Sequence, residues 1–129
     1  MERITRVPIP VDLKRFEPPT LSPRNGLIGF AGRPGDPRKN ISLLFFALKN
    51  LINQGKNFEL LLTGNETEPL AKLAEDLGIR RHVTWTGWLN EDELPNFYQK
   101  LDIFVIPSIV VKGHTEGLGV VTIEAMACG

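Results

Sequence analysis

Three segments follow one another without a break: Gly26-Leu27-Ile28-Gly29-Phe30-Ala31, then Gly32-Arg33-Pro34-Gly35-Asp36-Pro37-Arg38-Lys39-Asn40, then Ile41-Ser42-Leu43-Leu44-Phe45-Phe46-Ala47-Leu48. The first six residues form a short apolar run and read as a strand. The next nine form a Gly/Pro loop. From Ile41 on, Leu44, Phe45, Leu48, Leu51 and Ile52 follow at helical spacing, and Gly55 closes the helix.

The same alternation repeats downstream. Phe58 to Thr63 reads as a second strand, ended by Gly64. Leu70, Leu73, Ala74 and Leu77 mark a second helix stopped by Gly78. His82 to Thr86 reads as a third strand. Asn90 can cap a third helix carrying Leu94, Phe97, Tyr98 and Leu101. Ile103 to Ile106 reads as a fourth strand before Pro107, and Leu118 to Ala127 as a last helix. Strands alternating with helices imply right-handed crossovers and an α/β fold. The strands are apolar runs, as a parallel sheet covered on both faces requires. The expected sheet has about four strands in the order 3-2-1-4, with helices on both faces.

Upstream, residues 1–25 hold five of the ten prolines and read as an extended linker; residues 26–129 form the expected domain. The chain stops after a helix, so the expectation is a domain incomplete at its C-terminus. The fourth strand would then lie at a sheet edge, open to self-association. A length of 129 residues fits one domain. Net charge is zero, which argues against a nucleic-acid partner. A single cysteine, Cys128, rules out an internal disulfide, and no apolar run approaches the ~20 residues that span a membrane. These features suit a cytoplasmic protein, and a membrane-peripheral full-length parent is compatible with them.

In an open parallel sheet, ligands bind beyond the carboxyl ends of the strands where strand order reverses. Here that point falls between the first and fourth strands. Two loops meet there, Gly32 to Asn40 and Ser108 to Gly119. The first puts Arg33, Arg38 and Lys39 at the start of a helix. Cations are unfavourable beside the positive helix end unless an anion is bound. The residues alone allow a phosphate clamp of Arg33 and Lys39, or three solvated surface charges. The glycines match neither the dinucleotide fingerprint nor a P-loop.

The second loop reads His114-Thr115-Glu116-Gly117-Leu118-Gly119-Val120-Val121-Thr122-Ile123-Glu124. Gly117 and Gly119 precede a helix, which lets backbone N–H groups approach a ligand. Glu116 and Glu124 bracket that anion site, and carboxylates accept hydrogen bonds from sugar hydroxyls. A capping Glu116 and a surface Glu124 would give the same pattern. Glu124 lies among apolar residues and must find hydrogen-bond donors. Met126 reads as core. His114 can contact a sugar or simply face solvent, and His82 has no neighbour suggesting a metal. No His or Cys pair has metal-ligand spacing. Glu91-Asp92-Glu93 reads as acid at a helix start. Trp85 and Trp88 read as core, with a base pocket as the alternative.

Five motifs in order resemble the family-4 retaining glycosyltransferases, which have the GT-B fold of two facing Rossmann-like domains. They are Gly32-Arg33 with Lys39-Asn40; Leu61-Leu62-Thr63-Gly64; Val83-Thr84-Trp85-Thr86-Gly87; Asp102 to Ser108; and Glu116 with Glu124-Ala125-Met126-Ala127-Cys128-Gly129. Residues 5–18 resemble the family's segment crossing between domains, with Val11-Asp12 and Phe16 in place. Ile9-Pro10 depart from the usual Asn-Gly there.

The resemblance implies the first part of a C-terminal donor-binding domain, a truncated half of a GT-B protein. It implies that Arg33 and Lys39 grip the diphosphate of a nucleotide sugar and that Glu116 holds the donor sugar, the three forming the catalytic set. Gly32, Gly64, Val83, Gly117, Leu118, Gly119 and Val120 would bind the donor, and Glu124 the ribose. No metal and no cofactor are expected; the nucleoside-diphosphate sugar is the donor substrate. A carbohydrate or lipid-linked acceptor would bind through an N-terminal domain absent from this chain, so the chain alone is expected to be inactive. The alternatives are a non-catalytic nucleotide or nucleotide-sugar binding fragment and a sugar-nucleotide epimerase-like domain. The Glu116–Glu124 spacing favours the transferase.

Overall fold

Parallel strands covered on both faces need largely apolar side chains, and the four runs named above supply them at most positions. In a computed structural model, which describes residues 5–21, 25–113 and 119–129, the runs become β1 (Leu27–Phe30), β2 (Glu59–Leu62), β3 (Val83–Trp85) and β4 (Ile103–Phe104). The helices are α1 (Ile41–Asn53), α2 (Glu68–Asp76), α3 (Leu94–Gln99) and α4 (Val120–Ala127), with short 3-10 turns at Pro37–Lys39 and Arg80–His82. The strands form one parallel sheet in the order β3-β2-β1-β4. Order, direction and the alternation of elements are as the sequence implies.

The two faces of the sheet build two cores. Leu60, Leu62, Phe30 and Val83 face α1 and α2, packing with Ile41, Leu44, Phe45, Leu48, Ala74 and Ile79. On the other face, Leu61 and Phe104 meet α3 and α4 through Phe97, Tyr98, Val121, Ala125 and Cys128. Alternation along β2 therefore divides its leucines between two helical layers.

Asn90 caps the turn at 91–93 rather than α3 itself, whose N-cap is Glu93. The Asn90 Oδ1 accepts the N–H groups of Asp92 and Glu93, and Glu93 Oε2 accepts the Asn90 N–H at 2.8 Å. This reciprocal pair is a capping box leading into α3. The acidic run does more than cap: Arg15 reaches both Glu91 and Asp92 at 3.6 Å.

Three local expectations change. β4 ends at Phe104 rather than Ile106. Its last ladder bond is Val105 N–H to Gly29 O at 2.9 Å, beyond which β1 turns away into its loop. His82 lies in a 3-10 turn, with Nδ1 3.0 Å from Glu59 Oε1. Met126 is 76% exposed, not core. The inward face of α4 is Val121, Ala125 and Cys128 at i, i+4 and i+7, and Met126 falls off that stripe.

The segment before β1 has no strand or helix among its described residues. It nevertheless docks. A turn at Asp12, closed by Phe16 N–H to Asp12 O at 2.9 Å, buries Phe16 in the second core to 5% exposure. Gln99 Nε2 donates to Glu17 O, and Asp102 Oδ2 accepts the N–H groups of Asn25 and Leu27. No helix among the described residues is long and apolar enough to cross a membrane.

Candidate active site at the carboxyl end of the sheet

The two loops predicted to converge are tied to each other. Ile109 N–H donates to Arg38 O at 2.9 Å, and Asn40 Nδ2 donates to Pro107 O at 3.5 Å. Asn40 is left-handed, at φ 50° and ψ 45°. Asparagine tolerates that conformation better than most side chains do. The loop after β4 is thereby strapped across the entrance to α1.

Gly32 stands at the end of β1 with φ 148°, a conformation that disfavours any side chain. A Cβ there would meet the Phe30 ring first, 3.0 Å from its Cζ, and then Lys39, whose Cε lies 3.7 Å away. Thr63, at the end of β2 and 4% exposed, bonds Gly32 twice: its Oγ1 accepts the Gly32 N–H at 2.9 Å and donates to Gly32 O at 3.2 Å. Gly64 follows at φ 84°. A Cβ there would stand 2.8 Å from Pro34 Cδ, so glycine is required for the β1 loop to seat on the β2 turn. Gly64 N–H donates to Gly87 O at 2.7 Å, which ties in the turn after β3.

The first turn of α4 joins this surface. Val121 lines a hollow of about 180 Å³ with Ala31, Gly32, Thr63, Trp88, Leu89 and Leu94. Gly119 is the N-cap of α4, where it brings no side chain, and Val120 is half-exposed at 47%. Trp88 is 61% exposed at the rim. Trp85 points the other way, edge-on to Phe45 with ring centroids 6.5 Å apart. Of the two tryptophans, only Trp85 is core.

The charges differ from a three-cation cluster. Arg38 is held by Asp36 at 2.7 Å, and Asp36 Oδ1 also accepts the Arg38 N–H. These bonds from Arg38 lower the Asp36 carboxyl to about 2. Arg38 is thus balanced within its own turn, while Arg33 is exposed and Lys39 extends over Gly32. The Asp-Pro-Arg order carries this signal, because an aspartate before Pro37 caps a turn.

Glu124 finds its donor. Tyr98 Oη–H donates to Glu124 Oε2 at 2.9 Å. Burial, and then that carboxylate, push the Tyr98 phenol far above its ordinary range. Burial also raises the Cys128 thiol, with Glu124 adding to it. Sequence reading could not find Tyr98 as a partner, since the contact exists only when α3 and α4 pack.

Gly32, Gly64 and Lys39 therefore meet at one end of the sheet, with Arg33 on the same loop and Gly119 and Val120 at the start of α4. Val83 does not join them. It opens β3, pairs with Leu60 and is 4% exposed, its side chain packed in the first core. Glu116, Gly117, Leu118 and His114 lie outside the described residues. Among the described residues no group of three His, Cys, Asp or Glu could hold a metal.

The sequence profile of the glycosyl transferases group 1 family matches residues 14–129. The chain is 37% identical over 97 residues to the GDP-mannose-dependent alpha-(1-6)-phosphatidylinositol monomannoside mannosyltransferase of Mycobacterium tuberculosis, covering 72% of this chain and 25% of that protein. It superposes on sucrose-phosphate synthase of Thermosynechococcus elongatus with a TM-score of 0.73 at 27% identity, covering 92% of this chain and 31% of the synthase. It also superposes on the C-terminal domain of a glycosyl transferase group 1 family protein of Francisella tularensis, with a TM-score of 0.72 at 22% identity, a likeness of fold alone. The fold is the Rossmann-like α/β architecture of GT-B glycosyltransferase domains. The chain spans about a quarter of the mannosyltransferase. On the profile match and this identity, the chain belongs to the glycosyl transferases group 1 family.

Proposed function

We propose that this chain is the nucleotide-binding part of the donor domain of a family-4 retaining glycosyltransferase, and that the carboxyl end of its sheet takes the diphosphate of a nucleoside-diphosphate sugar. The observation that carries this reading is the strapping of Ile109 to Arg38 beside Lys39 and bare Gly32. It brings two loops from either side of the switch point onto one small surface.

In this reading Arg33 and Lys39 face the two phosphates, and Gly32 allows the closest approach. The N–H groups of Gly119 and Val120 add the positive end of α4. Glu116, Gly117 and Leu118 would meet the sugar, and Glu124 the ribose. As the glycosidic bond breaks, negative charge grows on the departing nucleoside diphosphate. Donors already oriented toward it stabilise the transition state by about 3–4 kcal/mol each. The sugar passes with retained configuration to a carbohydrate or lipid-linked acceptor, held by a part of the protein beyond this chain.

Calorimetric titration of the chain with guanosine, uridine and adenosine diphosphates tests the reading. The GDP-mannose dependence of the mycobacterial relative makes guanosine diphosphate the first to try. Binding of one of the three is expected; binding of none would overturn the proposal.

A further inference from the structure

We propose that Tyr98 is a positioning residue for the donor: its buried hydroxyl fixes one oxygen of Glu124 and so presents the other to the vicinal hydroxyls of a ribose. This rests on the function proposed above and adds a residue that makes no ligand contact itself.

The geometry leaves Tyr98 almost no freedom. It is 4% exposed. Three rings hold it, each from a different part of the chain: Phe16 before β1 at 6.1 Å, Phe97 on α3 at 5.5 Å and Phe104 on β4 at 5.4 Å. The contacts with Phe97 and Phe104 are edge-on, at 72° and 84°, the arrangement aromatic pairs prefer. A ring fixed from three sides gives its hydroxyl a fixed position. A buried hydroxyl must be satisfied, and its partner is Glu124 Oε2 at 2.9 Å.

Glu124 is the opposite case. It is only half-buried on α4, and a glutamate side chain has several rotatable bonds to lose. One fixed donor at Oε2 removes most of that freedom before any ligand arrives. A carboxylate has about four lone-pair sites, so one tyrosine leaves room for two further donors. Two neighbouring ribose hydroxyls are such a pair. Because burial keeps the phenol protonated well beyond its ordinary range, the donor persists at any working pH.

The alternative is that the bond only staples α3 to α4. A test must therefore read the ribose itself. Tyr98→Phe, Glu124→Gln and the double variant are titrated with whichever nucleoside diphosphate binds the wild type, and with its 2′,3′-dideoxy counterpart. Losing a hydrogen bond to a charged group should weaken ribonucleotide binding by Tyr98→Phe about tenfold. Dideoxynucleotide affinity should change less than about twofold, and Tyr98→Phe should add little on top of Glu124→Gln. Equal losses on both ligands would make Tyr98 a structural residue and overturn the inference. So would no loss on either, or a wild type that binds both ligands alike. A wild type that binds no nucleoside diphosphate would instead overturn the function on which the inference rests.

Discussion

Thr63 and Gly32 exchange two hydrogen bonds across the ends of β2 and β1, at 2.9 and 3.2 Å. The bonds run between a buried side chain and the backbone of the loop that is proposed to approach the ligand. Gly32 has an unusual φ and no side chain of its own to anchor it. Its position is therefore set by its neighbours, and Thr63 is bonded to it directly.

Thr63→Val keeps the shape and removes both bonds. The Gly32 N–H would lose this partner inside the structure, at a cost of about 1–3 kcal/mol. Urea unfolding should show that loss, and Thr63→Ser should recover most of it. If the valine variant unfolds at the wild-type midpoint, the hydroxyl does not hold the loop.

Lys39 and Arg38 stand side by side in sequence but differ in partner. Arg38 pairs with Asp36 at 2.7 Å, and the Lys39 side chain passes over Gly32. Lys39→Ala is expected to weaken nucleoside-diphosphate binding by about 10- to 100-fold, the range for losing a charge-assisted hydrogen bond. Arg38→Ala should change it by less than about threefold, because the Arg38 guanidinium is turned to Asp36. Calorimetry on both variants decides; equal losses would mean that Arg38 also reaches the ligand.

The order β3-β2-β1-β4 was legible because apolar runs, glycine stops and helical spacing are local signals. The convergence of Gly32 to Asn40 with the β4 loop was legible because the switch point follows from that order. The state of each charge was not. Asp36 is two residues from Arg38, yet only the turn at Pro37 turns that proximity into a pair. Val83 carries a motif match but packs inward, since a β-strand alternates its faces and the motif does not state which face is which. The bond from Tyr98 to Glu124 spans 26 positions and needs α3 and α4 in register.

Acid should expose the Asp36–Arg38 pair. Asp36 titrates near 2 in the folded chain, against an ordinary 3.8, chiefly through its hydrogen bonds from Arg38. A lowered carboxyl contributes stability that is present above its unfolded value and disappears as pH falls through the folded one. The window is therefore 3.8 down to about 2. Asp36→Asn keeps a cap acceptor but cannot titrate. Its urea midpoint should fall less steeply than the wild type's across that window. Parallel curves would mean that the pair does not contribute.

Trp88 offers a direct view of the site. It is 61% exposed and borders the hollow shared by Gly32, Thr63 and Val121, while Trp85 packs against Phe45 in the core. A ligand at the carboxyl end of β1 would change the surroundings of Trp88 and leave those of Trp85 nearly as they were. Tryptophan emission should therefore shift on nucleoside-diphosphate binding, and Trp88→Phe should abolish most of that shift. Because the substitution keeps an aromatic ring at the rim, binding seen by calorimetry should survive in part. A full emission change retained by Trp88→Phe would put the ligand near Trp85, on the opposite face of the sheet, and would contradict the site described above.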